Sequence, residues 1–363
     1  MKKLGTLVVV LLIMGEGVRN LKAQPAPKHY LCYRAEDPPE IDGKLDEIAW
    51  GRTAWTDDFV DIEGPRKPAP RFRTRVKMLW DDTYLYVAAE LEEPHVWATL
   101  TERDAVIFHD NDFEVFIDPD GDTHRYYELE VNALGTVWDL LLFKPYRDGG
   151  PPLDGWDIHG LKVGVSVQGS LNRPRDTDRG WSIELALPWS ALKEAAPGRR
   201  APRPGEQWRI NFSRVEWRTD VRDGRYEKRR DPDTGKPLPE DNWVWTPQYA
   251  VAMHRPEHWG YVQFSGQMAG AGTDAFVAPA DAGVRTALRA LYERQQRFRK
   301  EHGHYATSLK ALGRNARDSS LRATLYSSPG GYVITAPGPG GSLAHIREDG
   351  RLWITTSKTE DSQ

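Results

Sequence analysis

Between Phe108 and Asn132, polar and apolar residues alternate in two runs separated by an acidic turn. Phe113, Val115 and Ile117 alternate with Glu114, Phe116 and Asp118. After the turn, Tyr127, Leu129 and Val131 alternate with Tyr126, Glu128, Glu130 and Asn132. A period of two marks strands with two unlike faces. Here one face is fit for burial, and the other carries carboxylates, an amide and aromatic rings. Similar short segments recur at Thr74–Trp80, Tyr84–Leu91, Val137–Phe143, Leu161–Val167, Trp181–Leu187, Trp208–Val215 and Tyr261–Phe264, bounded by Gly, Pro, Asn or Asp. No long helical period intervenes between Tyr30 and Phe264. Many short strands without crossover helices predict a mainly β fold of antiparallel sheets, most economically a β-sandwich of jelly-roll type. Long loops at Lys144–Gly160, Lys193–Gly205 and Thr219–Asn242 would decorate its ends. Ahead of these strands, Ile41–Trp50 reads as a strand end, a turn that Asp42 can cap, and one helical turn, with Trp50 and Trp55 plugging the core.

The texture changes after Phe264. Residues 265–280 are rich in Gly, Ala and Ser and read as a linker. Beyond it, Val284, Leu288, Leu291, Gln295 and Phe298 fall on one helical face, and Gly303 can stop that helix. Strand-like pieces follow around Leu325, Tyr332–Ala336 and Leu352–Thr355, so residues 281–357 form a small C-terminal α+β domain. The helix, the Gly303-His304-Tyr305 break and Ser308–Leu312 resemble the soluble part of pilin-type subunits, without their cleavable leader and apolar spine. If the sandwich is instead an interaction or scaffolding unit, this tail is its docking part for a protein partner.

The first residues belong outside this architecture. Lys2 and Lys3 precede an apolar run from Leu4 to Met14 and a polar stretch ending near Ala23, the pattern of a signal peptide over residues 1–23. The run is shorter than the roughly 20 residues of a permanent span. It predicts an exported protein, periplasmic or secreted, without a retained anchor. One cysteine, Cys32, leaves no internal disulfide framework, so stability must come from buried apolar surface. A net charge of −4 gives no global attraction for nucleic acid. The basic bunch at Arg222–Arg230 lies among Asp, Gly and Glu and reads as a solvated loop. Fourteen Trp and fourteen Tyr supply flat rings with a polar edge, which suit sugar stacking as well as a β core.

Four segments in order carry a resemblance: Ile41-Asp42-Gly43-Lys44-Leu45-Asp46-Glu47, Leu79–Val87, Asp112–Asp118 and Tyr126–Asn132. Together they resemble carbohydrate-binding module family 9, and the resemblance runs over residues 30–264. It implies a β-sandwich that binds sugars without catalysis, often attached to plant-polysaccharide hydrolases, and hence a role in polysaccharide catabolism at the cell envelope. It also implies carbohydrate-binding positions. Phe108 takes the place of one clamping aromatic, Glu114 of the strand glutamate and Asn132 of the terminal asparagine. Met253 stands where the second aromatic would be and Glu130 where an arginine would be, two departures from the family's manner of recognising glucose or cellobiose.

The residues leave several alternatives open. Glu114 and Asn132 can take ligand hydroxyls, or can pair with Arg and Lys of neighbouring strands. The apolar run Val137–Phe143 assigns Trp138 to the core. Asp118, Asp120 and Asp122 place oxygen ligands at every second position of a turn, which suits a structural calcium ion. Gly121 and Leu129 break the EF-hand pattern, and an ordinary Asp/Gly turn is the better reading. Met253 and His254 cannot both face one haem from a single strand. Glu114, Asp118, Glu128 and Glu130 could share a face, which makes a glycoside hydrolase acting on O-glycosyl bonds one alternative to binding. A protein-interaction or scaffolding sandwich is the other. The favoured expectation is binding of a glycan or glycan-derived ligand without turnover.

Overall fold

The computed structural model describes residues 28–313 and 321–356, so the expected export segment lies outside the described residues. Its strands are β1 (His29–Arg34), β2 (Val60–Asp61), β3 (Thr74–Trp80), β4 (Tyr84–Glu92), β5 (Asp112–Asp118), β6 (Tyr126–Asn132), β7 (Val137–Leu142), β8 (Pro152–Leu153), β9 (Lys162–Gln168), β10 (Gly180–Pro188), β11 (Gln207–Glu216), β12 (Thr219–Arg222), β13 (Arg225–Lys228), β14 (Asp241–Val244) and β15 (Gly260–Met268). The hydrogen-bonded order is β8-β7-β6-β5-β11-β15-β1-β3-β4-β10-β9, with β14 beside β11 and β2 beside β14. All pairings in this path are antiparallel except at β1, which runs parallel to both β15 and β3.

The two arms of this path enclose one core. Phe113, Val115 and Ile117 of β5 and Tyr127, Leu129 and Val131 of β6 pack in a single cluster with Val76 and Met78 of β3, Leu85 and Val87 of β4, and Ile183 and Leu185 of β10. The mainly β sandwich is therefore the observed fold. Cys32 lies fully buried in that cluster as a free thiol, where burial pushes its pKa up. A smaller cluster behind β4 holds Trp50, from the helical turn α1 (Ile48–Gly51), with Tyr86 and Ala88. Trp55 does not plug the core: it is half-buried, with Arg75 and Lys77 stacked over its ring at 4.2 and 4.4 Å.

Two loop expectations are refined. The basic stretch is a hairpin of β12 and β13, turned at Asp223-Gly224 with φ of 49° and 75°, the left-handed pair that a two-residue hairpin needs. The final strand, β15, continues to Met268, four residues past the expected end. Part of the expected linker is also hydrogen-bonded to it: Val277 N donates to Gln263 Oε1 at 2.9 Å and Gln263 Nε2 to Ala275 O at 3.0 Å.

The lattice of side chains then continues into the tail. After the short α2 (Trp189–Leu192), the long helix α3 (Ala282–His302) packs Leu288, Leu291 and Tyr292 against the meander β16 (Thr324–Ser328), β17 (Gly331–Pro337), β18 (Leu343–Arg347) and β19 (Leu352–Thr355). Gly303 ends α3 in the left-handed region, φ 79°, with its N–H on Arg299 O. Only β18 was not expected. Its Ala344 and Ile346 alternate with His345 and Arg347, too short and too polar a run to stand out.

Candidate functional site

The outer face of β5, β6 and β7 is divided into an apolar end and an acidic end. At the apolar end, Phe116, Tyr126, Leu140 and Leu142 are covered by Met253 and Trp259, which come from the irregular segment between β14 and β15. Trp259 Nε1 donates to Met253 O at 3.0 Å, tying this cover to itself. His254 closes the same end. Its Nδ1 lies 2.9 Å from Tyr126 Oη, and its ring sits edge-on to Phe116 and Tyr146. Burial, with Arg147 nearby, lowers the His254 pKa to about 3, so the ring is neutral.

The acidic end begins one pair further along. Glu114 and Glu130 are directly paired across β5 and β6, and Glu128 pairs with Phe116. Asp112, two residues before Glu114, shares its face. The nearest carboxylate oxygens of Asp112, Glu114 and Glu130 all lie within 4.8 Å of one another, and all three residues are buried. Glu130 Oε2 accepts the Phe108 N–H at 2.9 Å and Asp112 Oδ1 the Val215 N–H at 3.1 Å. Burial, reinforced by the neighbouring carboxylates, raises Asp112 and Glu130 well above the usual carboxylate range, and burial lifts Glu114 to about 7. Two rings border this patch. Phe108 lies in the helical turn Ile107–His109, and Trp138 lies on β7 opposite Glu130, with their ring centroids 6.4 Å apart. Both are half-buried. Trp138 is outside the central core: alternation sends it to the face opposite Val137, where it packs, half-buried, against the outer apolar cluster that holds Phe116, Tyr126 and Leu140.

The positions carried over from the family fall into three environments. Phe108, Glu114 and Glu130 are brought together at the acidic end. Met253 is in the apolar cover. Asn132 is buried at the strand end with its amide fully occupied: Nδ2 donates to Leu100 O (2.8 Å) and Asp110 Oδ2 (3.1 Å), while Oδ1 accepts from Leu134 N (3.0 Å) and Thr136 N (3.1 Å). Neither Glu114 nor Asn132 pairs with an Arg or Lys among the described residues. Two members of the patch escaped sequence reasoning. Asp112 has the same parity as Glu114 and could have been found by counting in twos. Ser213 on β11 faces Glu114 through a pairing no local pattern announces.

The turn carboxylates are differently engaged. Asp118, Asp120 and Asp122 do bring oxygens within 4.8 Å of one another. Yet Asp118 accepts from Gly121 N (3.0 Å) and Thr123 N (2.9 Å), Asp120 from Asp122 N (3.2 Å), and Asp122 from His124 N (2.7 Å) and Arg351 Nε (2.7 Å). Backbone donors and an arginine thus engage each of the three carboxylates, as in an ordinary Asp/Gly turn.

Comparison with known proteins bears on the same region. The profile of the "carbohydrate family 9 binding domain-like" family matches residues 41–202. Exoglucanase XynX of Acetivibrio thermocellus is 26% identical over 154 residues, and endo-1,4-beta-xylanase A of Thermoanaerobacterium saccharolyticum is 27% identical over 154. Those stretches are 42% of this chain but only 12% and 11% of the two enzymes. Among solved structures, a family 9 carbohydrate-binding module of Caldicellulosiruptor kristjanssonii has been determined with cellotriose and with glucose. It shares 16% identity with this chain, at TM-scores of 0.41 and 0.42, and the alignments cover 68% and 69% of this chain and 100% of that one.

Proposed function

We propose, on the match of residues 41–202 to the carbohydrate family 9 binding domain-like family, that the sandwich binds a carbohydrate without catalysis. The observation that supports a site is the meeting of two half-buried rings, Phe108 and Trp138, at the edge of the Glu114–Glu130 pair. Rings offer stacking surface to a pyranose, and carboxylates accept its hydroxyl protons. Glu130 stands where the resemblance implies an arginine, so carboxyl groups rather than a cation would meet the ligand's hydroxyls. Export and service in polysaccharide breakdown complete this reading, in keeping with the hydrolases that share the matched stretch.

Affinity electrophoresis against a panel of neutral, acidic and amino-substituted polysaccharides tests it. Retardation by at least one polysaccharide is expected, weakened severalfold and up to about tenfold in Trp138→Ala and Phe108→Ala, since each stacked ring contributes on the order of 0.5–1.5 kcal/mol. Migration unchanged on every polysaccharide would remove the proposal. The same protein should release no reducing sugar.

A further inference from the structure

The buried end of the acidic patch contains more negative charge than its surroundings can balance. Asp112, Glu114 and Glu130 are 0%, 4% and 2% exposed. The side-chain charges acting on them most strongly, those of Asp110, Glu128 and Glu240 together with one another, are all negative. Each of the two outer carboxylates has one oxygen held by a backbone N–H, Val215 for Asp112 and Phe108 for Glu130. Asp112 Oδ2 and Glu114 Oε2 have no hydrogen-bond partner. A third oxygen completes the set from outside the carboxylates. Ser213, 0% exposed and directly across the β5–β11 pairing from Glu114, has its Oγ on the same face, near enough to Glu114 to offset part of the rise in that carboxyl's pKa and with no other partner.

Buried polar atoms in proteins almost always find partners, and a buried unpaired carboxylate costs several kcal/mol. Three carboxylates and a hydroxyl, with no nitrogen or sulfur among them, form the donor set of a hard cation. The donor set favours calcium: calcium accepts six to eight oxygens in a flexible cage of protein groups, whereas magnesium demands near-ideal octahedral geometry and keeps several of its waters. A buried cluster whose carboxylate oxygens converge from two strands supplies such a cage.

We propose that Asp112, Glu114, Glu130 and Ser213 form a calcium site on the outer face of β5, β6 and β11, distinct from the Asp118–Asp122 turn. The ion leaves the cluster with a net charge of about −1 and cross-links three strands under the Phe108–Trp138 rim. Its binding needs no sugar, so it stands or falls separately from the glycan reading.

The test uses the full chain stripped with chelator and titrated with calcium chloride alone, followed by calorimetry and thermal melting, with magnesium chloride in parallel. One equivalent of calcium is expected to bind and to raise the melting temperature, with magnesium at least tenfold weaker. Glu114→Gln and Asp112→Asn should each weaken calcium binding at least tenfold. Ser213→Ala, which removes only a hydroxyl and keeps the fold, should weaken it severalfold, while Asp118→Asn leaves it unchanged. Absence of calcium binding by the wild-type chain overturns the proposal. So does binding that survives Glu114→Gln and Ser213→Ala but is lost in Asp118→Asn.

Discussion

At the residue scale, the most informative position is one that the site does not use. Glu184 on β10 accepts the Trp50 Nε1–H at 2.6 Å, the Gly43 N–H at 2.8 Å and the Asp42 N–H at 3.1 Å. It therefore holds the Asp42-Gly43 turn on the sheet. The turn must come that close because Gly43, at φ 88°, lies against the β9 backbone, where a Cβ would stand 2.4 Å from Val165 C. Gly164 makes the reciprocal approach to Gly43 N. Glu184→Gln would point an amide NH2 at a donor in this buried bundle, so a loss of about 1–3 kcal/mol in urea unfolding is expected. An unchanged midpoint would contradict the role given to this carboxylate. Gly43→Ala should do worse, since neither the backbone angle nor the neighbouring strand has room. These contacts explain why Asp42-Gly43 could be read as a turn from sequence, while its partner Glu184, some 140 residues away, could not.

At the element scale, alternation gave away β3, β5, β6 and β10 almost to the residue, because each buries one face or both in a core of fixed parity. What stayed hidden was set by long-range contact. The segment covering Phe116 and Tyr126 has no period of its own, and its Met253, His254 and Trp259 acquire a role only when β14 and β15 bring it back across β5 and β6. The candidate site shares this division: Glu114 and Glu130 were legible, whereas Ser213 and the place of Trp138 on the outer face depended on strand pairing and on which face won burial. This cover also predicts a pH response. Burial holds His254 neutral, with a pKa near 3, and His258 likewise, near 4, against 6.5 in the unfolded chain. Between those values the unfolded chain binds more protons, so their contribution is complete above pH 6.5 and is lost as pH falls toward 4 and then 3. Carboxyls with raised pKa, Glu184 among them, act in the opposite direction over part of that range. The clean measurement is therefore the difference between the wild type and His254→Gln. That difference should shrink by up to ~1.4 kcal/mol per pH unit below about pH 6. A difference constant from pH 7 to pH 4.5 would mean that His254 takes up its proton in the folded cover as readily as in the unfolded chain.

At the scale of the whole molecule, the acidic turn read from sequence as a bare turn or a metal loop is the place where the tail is attached. Leu352 N donates to Asp122 O at 3.0 Å, Thr123 Oγ1 to Gly350 O at 3.1 Å, and Arg285 Nη1 to Gly121 O at 3.0 Å. Arg351 reaches Asp122, and His124 lies 3.3 Å from Asp349, whose pKa is driven down against its burial by His124 and Arg347. Further along, Tyr292 donates to Asp148. The turn holds a conformation that suits this contact and little else: Thr123 is β-branched yet sits at φ 72°, a strain of roughly 1–3 kcal/mol that its bonds to Asp118 and Gly350 offset. Two units joined through so many backbone groups should unfold together. The full chain is expected to give one calorimetric transition. Arg351→Ala combined with Tyr292→Phe removes two side-chain ties of about 1 kcal/mol each, the arginine term being small because its side chain is 36% exposed. The double variant should lower the melting temperature by a few degrees and split the transition in two, with the turn over residues 118–124 becoming open to proteolysis. Two transitions already present in the wild type would show that the tail is merely tethered and that the strain at Thr123 is borne by the turn alone.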